Sequence, residues 1–329
     1  MHDNNLHFCI LGPGAIGGLI AAHLSEAGYS VSCIARGQTY STLKAEGIKV
    51  FKETKQIHAK PQIYKIGDQI PKIDYLFITL KTNSLPLIAG SISNIISQNT
   101  AIITGMNGIP HWYFDGLSSE YGNHRMKSVD PSGIVTKGLP PKKIIGSVIY
   151  PAAELQKPGL IYHKYGNKIT LGEPNGTITN RIKTLSLALR NSGFRAPIKK
   201  NIRDEIWIKL MGNVAFNPLS AITGGTLAEI CENKDTRKIV ADLMLEAKVI
   251  GEKLGSNFLI SIEKRITGAE AVGNHKTSML QDLEAQRSLE IDSIVSAVQE
   301  LGEITNSPTT TLDLIASLLK QKVAVLGLK

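Results

Sequence analysis

Lys209, Asn213 and Asn217 recur every fourth residue through the apolar segment IWIKLMGNVAFNPLS. At about 100° per residue they fall within one narrow stripe of a helix, while Ile206, Trp207, Ile208, Leu210, Met211, Val214 and Phe216 cover the rest of the circumference. A helix that is apolar nearly all round is buried. Burying an ammonium and two carboxamides is costly unless each finds a partner, in the protein or in a bound polar ligand. A lysine held in this way can set both a positive charge and a transferable proton against an oxygen that gains charge in a reaction. The asparagines supply neutral donors and acceptors suited to a hydroxylated ligand. The stripe by itself leaves a second reading open, in which Lys209 snorkels to solvent and the asparagines bond to neighbouring loops.

A second set of residues stands near the start of the chain. The segment ILGPGAIGG holds Gly12, Gly14 and Gly17 in the GxGxxG spacing, directly after an apolar strand pattern and opening a helix pattern. Gly12 permits the tight turn, Gly14 lets backbone approach a pyrophosphate and Gly17 allows close helix packing. With the intervening Pro13, Ala15 and Ile16 they form a loop that presents helix N–H groups and the positive end of a dipole to phosphates. An enzyme for NAD usually carries an acid about 20 residues further on, on the ribose 2′-hydroxyl. Here no Asp or Glu occurs from Ser30 to Ala45, and Arg36 stands at the expected place. Arginine suits the 2′-phosphate of NADP, which an acid would repel. Lys81 in FITLKTNSL and Asn107 in IITGMNGIP follow two further strand patterns, at the strand ends where such sheets bind ligands.

The elements that must position these residues divide the chain in two. Over the first 150 residues short apolar runs alternate with amphipathic stretches, the pattern of a parallel sheet covered by helices. HFCIL, YSVSCIA, DYLFITLK and TAIITGM are strands, and AIGGLIAAHLSEAG is a helix ended by Gly28. GSVIYPAAEL, GLIYHKY and NKITLGE are expected to add antiparallel or edge strands. ITNRIKTLSLALRNSG is an amphipathic helix stopped at Gly193, and FRAPIKK a short strand after it. From RDEIWIKL onward the pattern is almost all helix. The expected fold is therefore α/β, an N-terminal Rossmann-type doubly wound sheet domain over 1–200 with an all-helical C-terminal domain over 201–329.

Composition narrows the function classes. The chain has 329 residues, 42% hydrophobic and 20% charged, which suits two globular domains. No apolar run approaches the roughly 18 residues of a membrane span, and the start MHDNNLHFCILG lacks a signal peptide's basic and apolar regions, so a cytoplasmic protein with no membrane partner is expected. Cys9, Cys33 and Cys231 are far apart in the chain, as small core residues of a reducing compartment would be. The net charge of +9 favours anionic partners, but the basic residues are dispersed, without the aromatic interleaving of a nucleic-acid surface. The eight histidines show no metal-ligand spacing.

With these segments in view, the chain resembles the ketopantoate reductase (2-dehydropantoate 2-reductase) family. The match runs in order from GPGAIGG through TLK, MNGIP and VIYPAAEL to IWIKLMGNVAFNPLSAITGG, and ends in KTSMLQDLEAQRSLEID. The resemblance implies NADPH-dependent reduction of ketopantoate to pantoate, on the way to pantothenate and coenzyme A. It implies that Lys209 is the catalytic lysine and general acid, Glu290 the active-site glutamate, Asn213 and Asn217 the substrate-binding asparagines, and Ser278 a further substrate contact. Asn107 matches the asparagine of the family's Asn-Gly turn, and Arg36 and Lys81 match its cofactor contacts. Met106 stands where the family often has glutamine, and the bulky run PHWYF after it could reshape the pocket. Reduction of another 2-keto acid, a non-catalytic NADPH sensor, and hydride transfer to an imine remain as alternatives. A homodimer through an apolar helical face is compatible with the pattern.

Two geometric expectations follow. Pro218 disfavours helical backbone at Asn217, so a kink or pause is expected there. Ser278 and Glu290 would lie about 18 Å apart along one helix, too far to grip one small acid. A break between Leu283 and Leu289 is therefore expected, with Ser288 as N-cap of a helix carrying Glu290.

Overall fold

The structure, a computed structural model, describes residues 5–117, 120–122 and 124–328. They cluster into two compact units. The first contains, in chain order, β1 (His7–Leu11), α1 (Ala15–Glu26), β2 (Ser30–Ile34), α2 (Gly37–Glu46), β3 (Ile48–Lys52), β4 (Lys55–Ala59), β5 (Gln62–Tyr64), β6 (Tyr75–Ile78), α3 (Leu85–Ser93), β7 (Ala101–Thr104), α4 (Ile134–Gly138), β8 (Ile144–Ile149), β9 (Ala152–Lys157), β10 (Leu160–Tyr165), β11 (Ile169–Gly172) and α5 (Asn180–Asn191). The second contains α6 (Ile202–Thr223), α7 (Leu227–Glu232), α8 (Lys234–Lys253), α9 (Ile262–Glu270), α10 (Ser278–Glu284), α11 (Ala297–Ile304) and α12 (Thr310–Val325), with a π-helical turn at Asp292–Ser296 leading into α11.

Seven strands of the first unit form one sheet in the order β11-β8-β7-β6-β1-β2-β5. Every pair is parallel except β11 against β8. Strands β1, β6 and β7 are buried at every residue and β2 at all but Ser30, with mostly apolar side chains, as strands covered on both faces are. Their side chains meet α1 and α5 in one core, where Phe8 stacks on Tyr75 with ring centroids 5.2 Å apart. β8 is interior, parallel to β7 on one side and, as expected of this region, antiparallel to β11 on the other. β11 is the antiparallel edge, and FRAPIKK contributes only single bridges beside it, at Arg195 and Ile198.

A second sheet, β4-β3-β10-β9, holds two of the expected strands, the antiparallel pair β9 and β10, beside β3 and β4, which the sequence pattern does not announce. It explains why α1 is apolar all round: the helix packs on β1 and β2 and also on β3, β4, β9 and β10. At Gly18 a side chain would collide with Ile161 of β10.

The second unit is not the contiguous stretch 201–329. Asn107–Phe114 clusters with it, although the sequence reading places all of 1–200 in the first domain. Hydrogen bonds show why: Ile109 N donates to Ser293 O at 2.8 Å, Arg203 Nε to Tyr113 O at 2.7 Å, and Trp207 Nε1 to the Tyr113 hydroxyl at 2.7 Å. The rings of Trp112, Tyr113 and Phe114 are buried, so the PHWYF run anchors this segment on the N-terminal half of α6. Burial pushes the Tyr113 phenol up to about 12.

Helix α6 runs unbroken across Pro218, against the expected pause. An interior proline costs a helix about 3 kcal/mol, and apolar burial of about 2 kcal/mol for each of Leu210, Met211, Val214, Phe216 and Leu219 outweighs it. The expected break between Leu283 and Leu289 is present. α10 ends at Glu284, Gln286 takes φ 53°, and helical backbone resumes only at Ile291. Glu290 therefore immediately precedes the helical backbone rather than riding on it, and Ser288 stands three residues before its first helical residue. Among the described residues no helix is long and apolar enough to cross a membrane, and no cluster of His, Cys, Asp and Glu is arranged to hold a metal. All three cysteines are free and buried.

Candidate active site

In the first unit the glycine loop sits where the sheet reverses its winding. β1 pairs with β2 on one side and β6 on the other, and the register aligns Leu11 with Ile34 and Ile78, and Ile78 with Thr104. The C-terminal ends of these strands thus share one edge at a topological switch point, the usual ligand position of such sheets. Gly12 has φ +87°, and any side chain on it would strike Leu80. A Cβ on Gly17 would strike Thr79 and lie 2.6 Å from Gly12 O. Gly14 differs: its nearest neighbour would be 4.0 Å away, so open space faces it. It is the N-cap of α1 and offers no side chain to the first-turn N–H groups, which include those of Ala15 and Ile16. Thr79 Oγ1 donates to Gly12 O at 2.8 Å and holds the turn, with Pro13 buried behind it. These features fit a dinucleotide's pyrophosphate. Arg36 is exposed just past β2, and Lys81 follows β6 at the head of a short 3₁₀ turn.

In the second unit the polar stripe of α6 meets its partners. Lys209 Nζ donates to Asn107 Oδ1 at 2.8 Å, and Asn107 Nδ2 donates to Glu290 Oε2 at 3.0 Å. One carboxamide thus links cation and anion. Its position is fixed by the next two residues: Gly108 takes φ +84° with its Cα against the Ser293 carbonyl, and Ile109 N bonds that same oxygen. Ser293 lies in the π-helical turn immediately after Glu290, a local distortion common at functional sites.

Burial pulls the Lys209 ammonium down from 10.5 to about 8, while Glu290 pulls it back up and Arg265 pushes it further down. Asn213 is half-buried on α6, and its side chain hydrogen-bonds to none of Asn107, Lys209 and Glu290. Asn217 is only 5% exposed, and its Nδ2 is a buried donor with no protein acceptor. Native structures rarely leave such a group unpaired, so a ligand acceptor is the economical partner.

Asn107, Lys209 and Glu290 are thus joined in one network, and α6, which carries Lys209, also carries Asn213 and Asn217. Ser278 is the first residue of α10; it is exposed and hydrogen-bonds to none of them. Arg265, on α9, escaped the sequence reading. Its guanidinium lies against Gly212, where an added Cβ would come within 2.9 Å of Cζ and 3.0 Å of Nε. The readable signal was the glycine inside an otherwise good helix, which often marks a close approach.

Comparison with known proteins decides the family. The model for "Ketopantoate reductase PanE/ApbA" matches residues 8–176, and that for the family's C-terminal domain matches 201–323. The chain belongs to the ketopantoate reductase family. Among ketopantoate reductase relatives, the 2-dehydropantoate 2-reductase of Mesorhizobium japonicum is 42% identical over 95% of this chain and 96% of its own length. A crystal structure from Ralstonia solanacearum MolK2, of a protein proposed to be a ketopantoate reductase, superposes with a TM-score of 0.94 at 30% identity, covering 98% of this chain and 99% of that one. The 2-dehydropantoate 2-reductase of Geobacter metallireducens GS-15 follows with a TM-score of 0.85 at 25% identity, covering 96% and 100%.

Proposed function

We propose that this protein reduces ketopantoate to pantoate with NADPH, and that Lys209 is the general acid. The observation that carries this reading is the Lys209–Asn107–Glu290 network beside Asn213 and Asn217 on the same stripe, the latter with a buried Nδ2 that has no protein acceptor. When bound, NADPH supplies the hydride to the keto carbon. Negative charge then gathers on the keto oxygen, and Lys209 both stabilises it and delivers an Nζ proton to it, leaving a neutral amine that regains a proton from solvent. Burial has brought that ammonium close to the working pH, which makes the transfer easier without losing the charge. Glu290 keeps the lysine protonated and Asn107 fixes its direction. Asn213 and Asn217 meet the substrate's polar atoms, with Ser278 a further contact once substrate is bound.

Gly12, Gly14 and Gly17, with Pro13, Ala15 and Ile16, cradle the pyrophosphate, Arg36 pairs with the 2′-phosphate, and Lys81 adds a contact from the next strand end. Support for NADP over NAD comes from the exposed guanidinium of Arg36 and the lack of any acid from Ser30 to Ala45.

The test is the loss of NADPH absorbance with ketopantoate, beside NADH, other 2-keto acids and Lys209→Ala. Strong preference for NADPH and ketopantoate, with turnover largely abolished in the variant, supports all three assignments. Turnover on a different keto acid alone would overturn the substrate, and full activity of the variant would overturn the general acid.

A further inference from the structure

Arg265 is a second cation close to Lys209. It projects from α9 onto α6 at Gly212, three residues after Lys209 and one before Asn213, about 4.5 Å along the helix axis from the lysine. The contact is close because residue 212 has no side chain: the guanidinium lies on bare backbone within the turn that carries Lys209 and Asn213. Two cations held together repel, and Arg265 opposes the protonation of Lys209. A monoanionic ligand that meets both cations would relieve that repulsion.

A 2-keto acid has that charge and the matching shape. Its carboxylate carbon is bonded directly to the keto carbon, so the group holding the carboxylate must stand within several ångströms of the group holding the keto oxygen, each at about 2.8 Å. A guanidinium presents two parallel N–H groups that fit a carboxylate, whereas lysine offers a point charge. Resting on the proposed reductase reading, we propose that Arg265 binds the substrate carboxylate and so makes the enzyme select 2-keto acids over neutral ketones.

The experiment titrates the NADP⁺-loaded protein calorimetrically with ketopantoate and with its neutral counterpart, ketopantoyl lactone. Wild type, Arg265→Ala, Arg265→Lys and Gly212→Ala are compared, with circular dichroism as the check of folding. Turnover of wild type on ketopantoate is measured separately. The expected result is a roughly 10- to 100-fold loss of ketopantoate affinity in Arg265→Ala with lactone affinity changed less than about threefold, as for loss of a charge-assisted pair. Arg265→Lys falls between, and Gly212→Ala, which displaces the guanidinium but keeps its charge, weakens the acid more than the lactone. KM for ketopantoate rises more than kcat falls. Equal weakening of acid and lactone, or none, would mean that Arg265 only packs α9 on α6, and would overturn the proposal while leaving reductase activity standing. Wild type that binds ketopantoate through Arg265 without reducing it would overturn the reductase reading alone. Wild type that neither binds nor reduces it would overturn both.

Discussion

The pH dependence of reduction follows from the surroundings of Lys209 and can be changed on purpose. The lysine must be protonated to act as an acid, and burial has brought it from 10.5 to about 8. kcat/KM for ketopantoate should therefore be flat through neutral pH and fall about tenfold per pH unit above a midpoint near 8. Glu290 raises this value, so Glu290→Gln should move the alkaline limb to lower pH and reduce the rate at neutral pH while sparing the rate in mild acid. Arg265 acts with the opposite sign, so Arg265→Met should move the limb to higher pH even as ketopantoate binds more weakly. Lys209→Ala should abolish the limb and lower kcat by roughly 10²- to 10⁴-fold, the worth of a positioned acid. Initial rates of NADPH consumption at low ketopantoate, from about pH 6 to pH 10, measure all four proteins in one series. A limb that stays put in Glu290→Gln, or survives in Lys209→Ala at the same midpoint, would refute the assignment of the titration to Lys209.

Three further outcomes are expected. A lysine whose folded value lies below its unfolded one destabilises the fold at pH values below about 8, and the penalty fades as pH rises toward 10.5; Lys209→Met should thus be more stable than wild type by about 1–3 kcal/mol at neutral pH, with the gap closing near pH 10 in urea unfolding. Gly17→Ala, whose Cβ would meet Thr79 and Gly12 O, should cost about 1–3 kcal/mol of stability, whereas Gly14→Ala should change stability by less than about 0.5 kcal/mol yet raise the NADPH Kd at least about tenfold. Arg36→Glu should shift the NADPH-to-NADH ratio of kcat/KM toward NADH by at least about 100-fold, measured by parallel assays, because it exchanges attraction of the 2′-phosphate for repulsion.

What the sequence made legible were features that obey a local period. The glycine loop follows from spacing within six residues, and the Lys209 stripe from the helical repeat. The break after Glu284 followed from a distance: two residues asked to meet cannot be about 18 Å apart on one rod. Features set by remote partners were not readable. β3 and β4 do not stand out as strands in the sequence because each buries only one face, leaving Lys49, Lys52 and Lys55 to solvent or half-exposed. Pro218 reads locally as a stop, and only the burial of α6 on its other faces keeps the helix going.

Asn107 and Arg265 show the same principle at the site itself. Nothing near Asn107 in the chain reveals that it leaves its strand to bridge residues 102 positions and 183 positions away. Arg265 sits among charged neighbours on α9 and reads as solvated surface, yet its place is recorded in the chain as an absence, the missing side chain at Gly212. A glycine costs a helix interior up to about 1 kcal/mol relative to alanine, so its presence in the most buried helix of the molecule implies something that needs the space. Here the occupant is a guanidinium, and it stands beside Lys209, the lysine proposed to meet an anionic substrate.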